Sequence, residues 1–242
     1  MNLIVDVGNS YVKFAVFKQG RLIHKIVSEL SHFNDTYKNI KNDFLDIEKV
    51  IISSVGKLEL KQIETIIKQD NVLVLDSEAK LPFENLYKTP KTLGVDRIAL
   101  VSAAVRQFPN KNVLIIDVGT CITYYFKTSE NKYLGGAISP GIRLRYQSLN
   151  NLTANLPLLD TEMPKNIIGQ STSEAIHSGV INGVLKEIEG VIDEYQKKYS
   201  DLTVILTGGD TNFLSNQLKN SIFANSNFLL EGLNFILEFN TD

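Results

Sequence analysis

Four short segments carry residue types suited to handling phosphate and an acceptor alcohol. The first is Asp6-Val7-Gly8-Asn9-Ser10-Tyr11-Val12-Lys13. A strand feeding a tight turn gathers backbone N–H groups at one point, and such a concavity accepts phosphate oxygens. Gly8 lets the chain approach a ligand closely, Asn9 and Ser10 add polar groups, and Lys13 supplies positive charge. Asp6, at the strand's end, would hold Mg²⁺ through water, since magnesium keeps several waters and few protein ligands. The same residues also suit a plain hairpin turn. The second segment, Asp117-Val118-Gly119-Thr120-Cys121-Ile122-Thr123, repeats the pattern, and Gly208-Gly209-Asp210 adds a small-residue turn suited to a nucleotide's sugar and base. In the fourth, Gly94-Val95-Asp96-Arg97, the acid stands in the first turn of an expected helix. A carboxylate there would orient an acceptor hydroxyl and take its proton, or would simply be an acid favoured by the helix dipole. Arg97 would fork onto a ligand carboxylate or pair with a neighbouring acid.

These segments need strands and helices to position them. Residues 2–8, 11–17 and 22–27 read as three strands joined as hairpins, with Gly20 separating the last two. Val50-Ile51-Ile52 and Val72-Leu73-Val74-Leu75 read as buried strands flanking a helix at about 58–69. A second start follows at Asn112–Gly119, with strands expected at 121–126 and 133–138. Ile4-Val5-Asp6-Val7-Gly8 and Ile115-Ile116-Asp117-Val118-Gly119 differ by one Val/Ile exchange, so the chain reads as an internal repeat. The boundary falls near 105–112, giving halves 1–108 and 109–242. Between the repeats, Ile98, Val101, Val105 and Phe108 mark one face of a helix. Ile176, Val180, Val184, Ile188 and Ile192 recur every four residues and predict a long helix, opened by a capping box of Ser171 and Glu174. Gly179 and Gly183, with Ile181 and Leu185 beside the main stripe, would suit a two-fold interface. A last strand is expected at 202–206.

Two Asp-x-Gly turns at equivalent places, followed by Gly208-Gly209-Asp210, resemble the actin, hexokinase and heat-shock chaperone ATPase superfamily. That resemblance implies an α/β chain with a duplicated ribonuclease H-like fold, two mixed-sheet halves around a nucleotide cleft. More narrowly, six features in register resemble type III pantothenate kinases: the Asp-x-Gly-Asn start, Gly94-Val95-Asp96-Arg97, Asp-x-Gly-Thr, Gly135-Gly136-Ala137-Ile138-Ser139-Pro140-Gly141, Gly169-Gln170-Ser171-Thr172 and Thr207-Gly208-Gly209. The resemblance spans residues 3–210. It implies ATP-dependent phosphorylation of pantothenate to 4'-phosphopantothenate, the first step towards coenzyme A. Asp6 to Lys13 (Asp6, Val7, Gly8, Asn9, Ser10, Tyr11, Val12, Lys13) would bind ATP, with Thr120 helping from the opposite wall. Asp96 would be the proton acceptor, while Tyr87, Gly94, Val95, Asp96, Arg97 and Thr172 would hold pantothenate. Asp117 would bind a monovalent cation, K⁺ or NH₄⁺, and the chain would be a homodimer in which Thr172 reaches the neighbouring site. Two departures stand out, Ser10 for the family's usual Thr and Cys121 for its usual Ala; one keeps a hydroxyl and the other is small.

Charge points independently towards added cations. ATP brings about four negative charges, and Asp6, Asp96 and Asp117 add more, which Lys13 and Mg²⁺ only partly offset. Asp117 would answer this by holding the monovalent ion, or alternatively by acting as a second magnesium-water ligand. Another small-alcohol or sugar kinase of this fold, or a non-catalytic nucleotide-binding regulator, are the competing readings. The single cysteine argues against the zinc-bearing sugar kinases, and the intact acid and loops argue against a regulator.

Bulk properties agree. The 242 residues carry 25 Lys+Arg against 27 Asp+Glu, with no basic stripe of the kind nucleic-acid binders show. Polar residues interrupt every apolar run before a membrane span is reached, and Met1–Asp6 does not read as a signal peptide. Neither a disulfide framework nor a Cys-rich zinc site is expected, and the expected compartment is the cytoplasm.

Overall fold

The computed structural model describes residues 1–8, 11–54, 71–76 and 78–241. Asn9, Ser10 and the helix expected at 58–69 lie outside the described residues. The chain divides into two compact units, one of residues 1–109, 131–133 and 227–242, the other of 110–130 and 134–226.

In the first unit, β1 (Asn2–Val7), β2 (Tyr11–Lys18), β3 (Arg21–Glu29), β4 (Lys49–Ser54) and β5 (Val72–Val74) form a sheet in the order β3-β2-β1-β4-β5. β1 runs antiparallel to β2 and parallel to β4. Its central place explains why it reads as an unbroken apolar run: both faces are covered. Leu3, Val5 and Val7 pack with Val12, Phe14 and Val16 against Phe33, Tyr37 and Ile40 of the Phe33–Asp43 helix. Strand alternation places Asp6 on the other face, with Ile4. The Phe228–Thr241 helix packs on β1, β4 and the Val95–Gln107 helix. At Gly232 a Cβ would run into the Ala99 carbonyl, so these helices touch backbone to backbone. The C-terminal helix therefore packs in the first unit, although it follows the second repeat in sequence. A short strand β6 (Glu84–Asn85) pairs in parallel with Lys132 and Tyr133.

The second unit repeats the plan. β7 (Val113–Val118), β8 (Cys121–Lys127), β9 (Lys132–Pro140, entering this unit at Leu134), β10 (Thr203–Thr207) and β11 (Phe223–Ala224) lie in the order β9-β8-β7-β10-β11. Again the first strand is antiparallel to its hairpin partner and parallel to the strand beyond. The shared pentapeptide thus marks two sheets of one topology.

The expected long helix is interrupted. An α-helix over Thr172–His177 passes into a π-helical turn, Ser178–Asn182, and resumes as Gly183–Lys198. Steps of four residues overshoot an α-helical turn by about 40° each, so a straight helix would carry Ile192 well away from the face of Ile176. The wider π turn rotates less per residue and keeps all five stripe residues buried. The turn also changes the expected interface. Ile181 is fully buried and Leu185 packs against the same core, so neither is spare apolar surface.

Candidate active site

In the first unit, β-sheet register builds a small charged cluster. Asp6, one residue from the end of β1, stands opposite Lys13 on β2 and Ser53 on β4. Lys13 Nζ lies 3.4 Å from Asp6 Oδ2. Asp6 is only 7% exposed. Burial pushes its carboxyl above the ordinary range, against the pull of Lys13, and Asp96 adds to the upward push. Ser53 is fully buried and its hydroxyl has no hydrogen-bond partner. The Gly8 N–H donates to the Tyr11 carbonyl (2.9 Å), so it closes the turn instead of pointing at a ligand. Val7 and Val12 bury their side chains in the core, which leaves only their main chain to serve a nucleotide.

Asp96 is held where its helix begins. Gly94 is the N-cap and contributes no side-chain cap; the Arg97 and Ile98 N–H groups both donate to its carbonyl (3.1 and 3.3 Å). Asp96 Oδ1 occupies the space a Gly94 Cβ would fill, so glycine is what allows the carboxylate to fold back over the helix start. The dipole favours negative charge there. One residue on, the Arg97 guanidinium carbon lies 5.7 Å from the Tyr87 ring centroid, and Nη1 lies 3.4 Å from Tyr87 Oη. The Tyr87 N–H donates to Asn85 Oδ1 (3.0 Å), which ties it to β6.

The second loop resembles the first with two differences. Three residues (119–121) separate the paired ends Val118 and Ile122, against four (8–11) between Val7 and Val12. Asp117 stands opposite Thr123 and Thr207, so no lysine occupies the place of Lys13. Two glycines grip this loop. A Cβ at Gly141 would meet the Gly119 and Thr120 carbonyls; one at Gly208, whose φ is 100°, would meet Asp117 Oδ1 and the Val118 carbonyl. The Gly141 N–H donates to the Thr120 carbonyl (3.0 Å) and the Asp210 N–H to that of Val118 (3.0 Å). Burial raises the Asp210 carboxyl above its usual range. Behind the loop, Arg145 donates to the Pro140 carbonyl (2.9 Å), Ser139 Oγ (3.0 Å) and Glu187 Oε2 (2.5 Å), and Tyr124 Oη donates to Glu187 Oε1 (2.9 Å).

The structure thus brings Asp6, Lys13 and Asp96 together, with Arg97 beside Tyr87, in one unit. It places Asp117, Thr120 and Gly208 around one loop in the other. Thr172 opens a separate helix of that unit, between Ser171 and Ser173, which line a cavity of about 320 Å³. Ser53 and Tyr133 escaped sequence reasoning. Ser53 follows the apolar run 50–52, and only its pairing with Asp6 shows its place. Among the described residues no group of three or more His, Cys, Asp and Glu could hold a metal ion.

The family model of type III pantothenate kinases matches residues 2–194. A type III pantothenate kinase of Christiangramia forsetii is 54% identical over 240 residues, which cover 99% of each chain. Among solved structures, a conserved Baf family protein from Campylobacter jejuni gives a TM-score of 0.64 at 23% identity over 98% of both chains. A glucokinase from an Antarctic psychrotroph gives 0.56 at 11% identity, again over 98% of both. The structural likenesses bear on fold alone, and that fold is the duplicated ribonuclease H-like arrangement of actin-like kinases.

Proposed function

The chain belongs to the type III pantothenate kinase family, and on that footing we propose that Asp96 is its general base and Asp6 and Lys13 its nucleotide-phosphate groups. The reaction is phosphorylation of pantothenate by ATP, giving 4'-phosphopantothenate for coenzyme A synthesis. Phosphoryl transfer asks for positioning and charge neutralisation more than for covalent chemistry. Asp96 at its helix start, within electrostatic reach of Asp6 and one residue from Arg97, is the observation that supports this assignment most. Its carboxylate would orient the acceptor hydroxyl and take its proton late. Arg97 and Tyr87 would meet the pantothenate carboxylate and chain. Thr120 has a nucleotide role as well.

The residues present fit the expected cations. Asp6, with the Ser53 hydroxyl in the neighbouring register, offers hard oxygens of the kind magnesium takes through water. Asp117 Oδ1 and the Val118 carbonyl lie together against Gly208, an oxygen set suited to a larger monovalent ion. Bound cations would supply neutralisation of phosphate charge. ADP release by the purified protein across a panel of small alcohols tests this reading. We expect turnover with pantothenate, low in sodium and rising with potassium or ammonium, and little such rise in Asp117→Asn. Equal rates in sodium and potassium at matched ionic strength would remove the cation assignment; release with another alcohol in preference to pantothenate would remove the substrate.

We also infer a homodimer. Ile181 cannot support it, but Leu152, Ile167 and Ile168 are 71–83% exposed, and the space beside Gly179 is open. Ile167, Ile168 and Gly179 lie within seven residues of Thr172 in the chain, and the dimer would use Thr172 at the neighbouring site. Sedimentation at micromolar concentration should show twice the chain mass, and a fully active monomer would end both claims. No helix among the described residues is long and apolar enough to cross a membrane, and we assign the activity to the cytoplasm.

A further inference from the structure

Among the described residues, two buried side-chain oxygens lack a hydrogen-bond partner, Ser53 Oγ and Tyr133 Oη. Leaving such a group unpaired is costly, so each is a candidate for a partner that arrives with a ligand or a moved side chain. Tyr133 is fully buried and firmly placed. Its backbone pairs with Asn85, and its carbonyl accepts from the Leu86 N–H (3.0 Å). Its ring meets Phe83 edge-on at 6.2 Å and stacks with Tyr87 at 6.1 Å. Burial pushes its phenol up to about 12, while the Arg97 guanidinium, already close enough for both its charge and its N–H groups to act on the phenol oxygen, works against that push. The phenol therefore stays neutral at working pH. Arg97 Nη1 donates a hydrogen bond to the other phenol, Tyr87 Oη, and at 3.4 Å that bond is at the long end of the range.

We propose that Tyr133 is a positioning residue for Arg97: when the acceptor's carboxylate draws the guanidinium off the Tyr87 ring, Tyr133 Oη accepts a hydrogen bond from it and fixes the direction of its fork. Arginine has five donors, enough to grip a carboxylate with two and still bond a phenol with another. Two tyrosines, Tyr133 on the short ladder and Tyr87 tied to Asn85 just past its end, would then give the guanidinium two resting places, one on the Tyr87 ring and one turned to the substrate. The inference rests on the reading above, in which pantothenate is the acceptor and Arg97 meets its carboxylate.

Tyr133→Phe keeps the ring and removes only the unpaired oxygen. The variant should raise the pantothenate KM about tenfold, with kcat and the ATP KM nearly unchanged. Its thermal midpoint should equal or exceed the wild type's, because a buried orphan has been removed. In an Arg97→Met background the same change should add nothing. An unchanged pantothenate KM, a full additive loss on top of Arg97→Met, or a lowered midpoint with both substrates affected alike would each overturn the proposal. Wild-type protein that turns over pantothenate while Tyr133→Phe behaves identically removes Tyr133 alone. Wild-type protein that does not phosphorylate pantothenate removes the underlying reading too.

Discussion

Asp96→Asn should fold normally and lose about 10²–10⁴-fold of turnover, the usual contribution of a positioned general base. Asparagine has nearly the same shape, so it can occupy the space left open by Gly94 as the carboxylate does. What it lacks is the capacity to take the acceptor's proton. Losing a negative charge in the first helical turn costs about 0.3–1 kcal/mol, a small shift in thermal midpoint beside the kinetic loss. The measurement is kcat at saturating ATP and pantothenate, with circular dichroism as the folding control. Wild-type turnover in a well-folded variant would show that Asp96 is a helix-start acid and nothing more.

Asp6→Asn should show opposite effects on stability and on function. Burial holds the Asp6 carboxyl above its usual range, so the ionised form is a load on the folded state at neutral pH. Removing the charge should therefore raise the thermal midpoint at pH 7, even though Lys13 loses its partner. The sign follows from linkage: a raised carboxyl favours folding only while it is protonated. The wild type thus loses stability relative to the variant as pH rises through the ordinary carboxylate value of about 3.9 towards the folded one. Below that value the two proteins should converge. Apparent affinity for the magnesium–nucleotide should fall about 10–100-fold, as for groups that act on a metal through its shell. Unchanged ATP and Mg²⁺ dependence would take Asp6 out of the site. A midpoint lowered at pH 7 would mean that the Lys13 pair outweighs the desolvation of the acid.

Much of the fold was legible because its signals are local. Pentapeptides at 4–8 and 115–119, alike but for one Val/Ile exchange, announced two strand-turn-strand starts, and each heads a sheet of the same strand order. Ser171 does accept the Glu174 N–H (3.3 Å), as a capping box requires, although the Glu174 carboxylate takes the Gln170 N–H (2.7 Å) in place of the cap's own. Side-chain period, turn residues and caps act within a few positions of the chain, so sequence carries them directly.

The sequence by itself thus determined the repeat, the helix start that carries Asp96 and the set of acids and cations available. Only the tertiary structure decided what those groups experience. Asp6 is desolvated because β4, more than 40 residues away, covers its flank and brings Ser53 into register. Tyr133 stands by Arg97 because residues 131–133 pack in the first unit, pairing with β6. Ile181 is core and not interface because a π-helical turn re-aims the stripe around it. Burial and electrostatic neighbours are sums over residues distant in the chain, and no local pattern encodes which distant elements will meet.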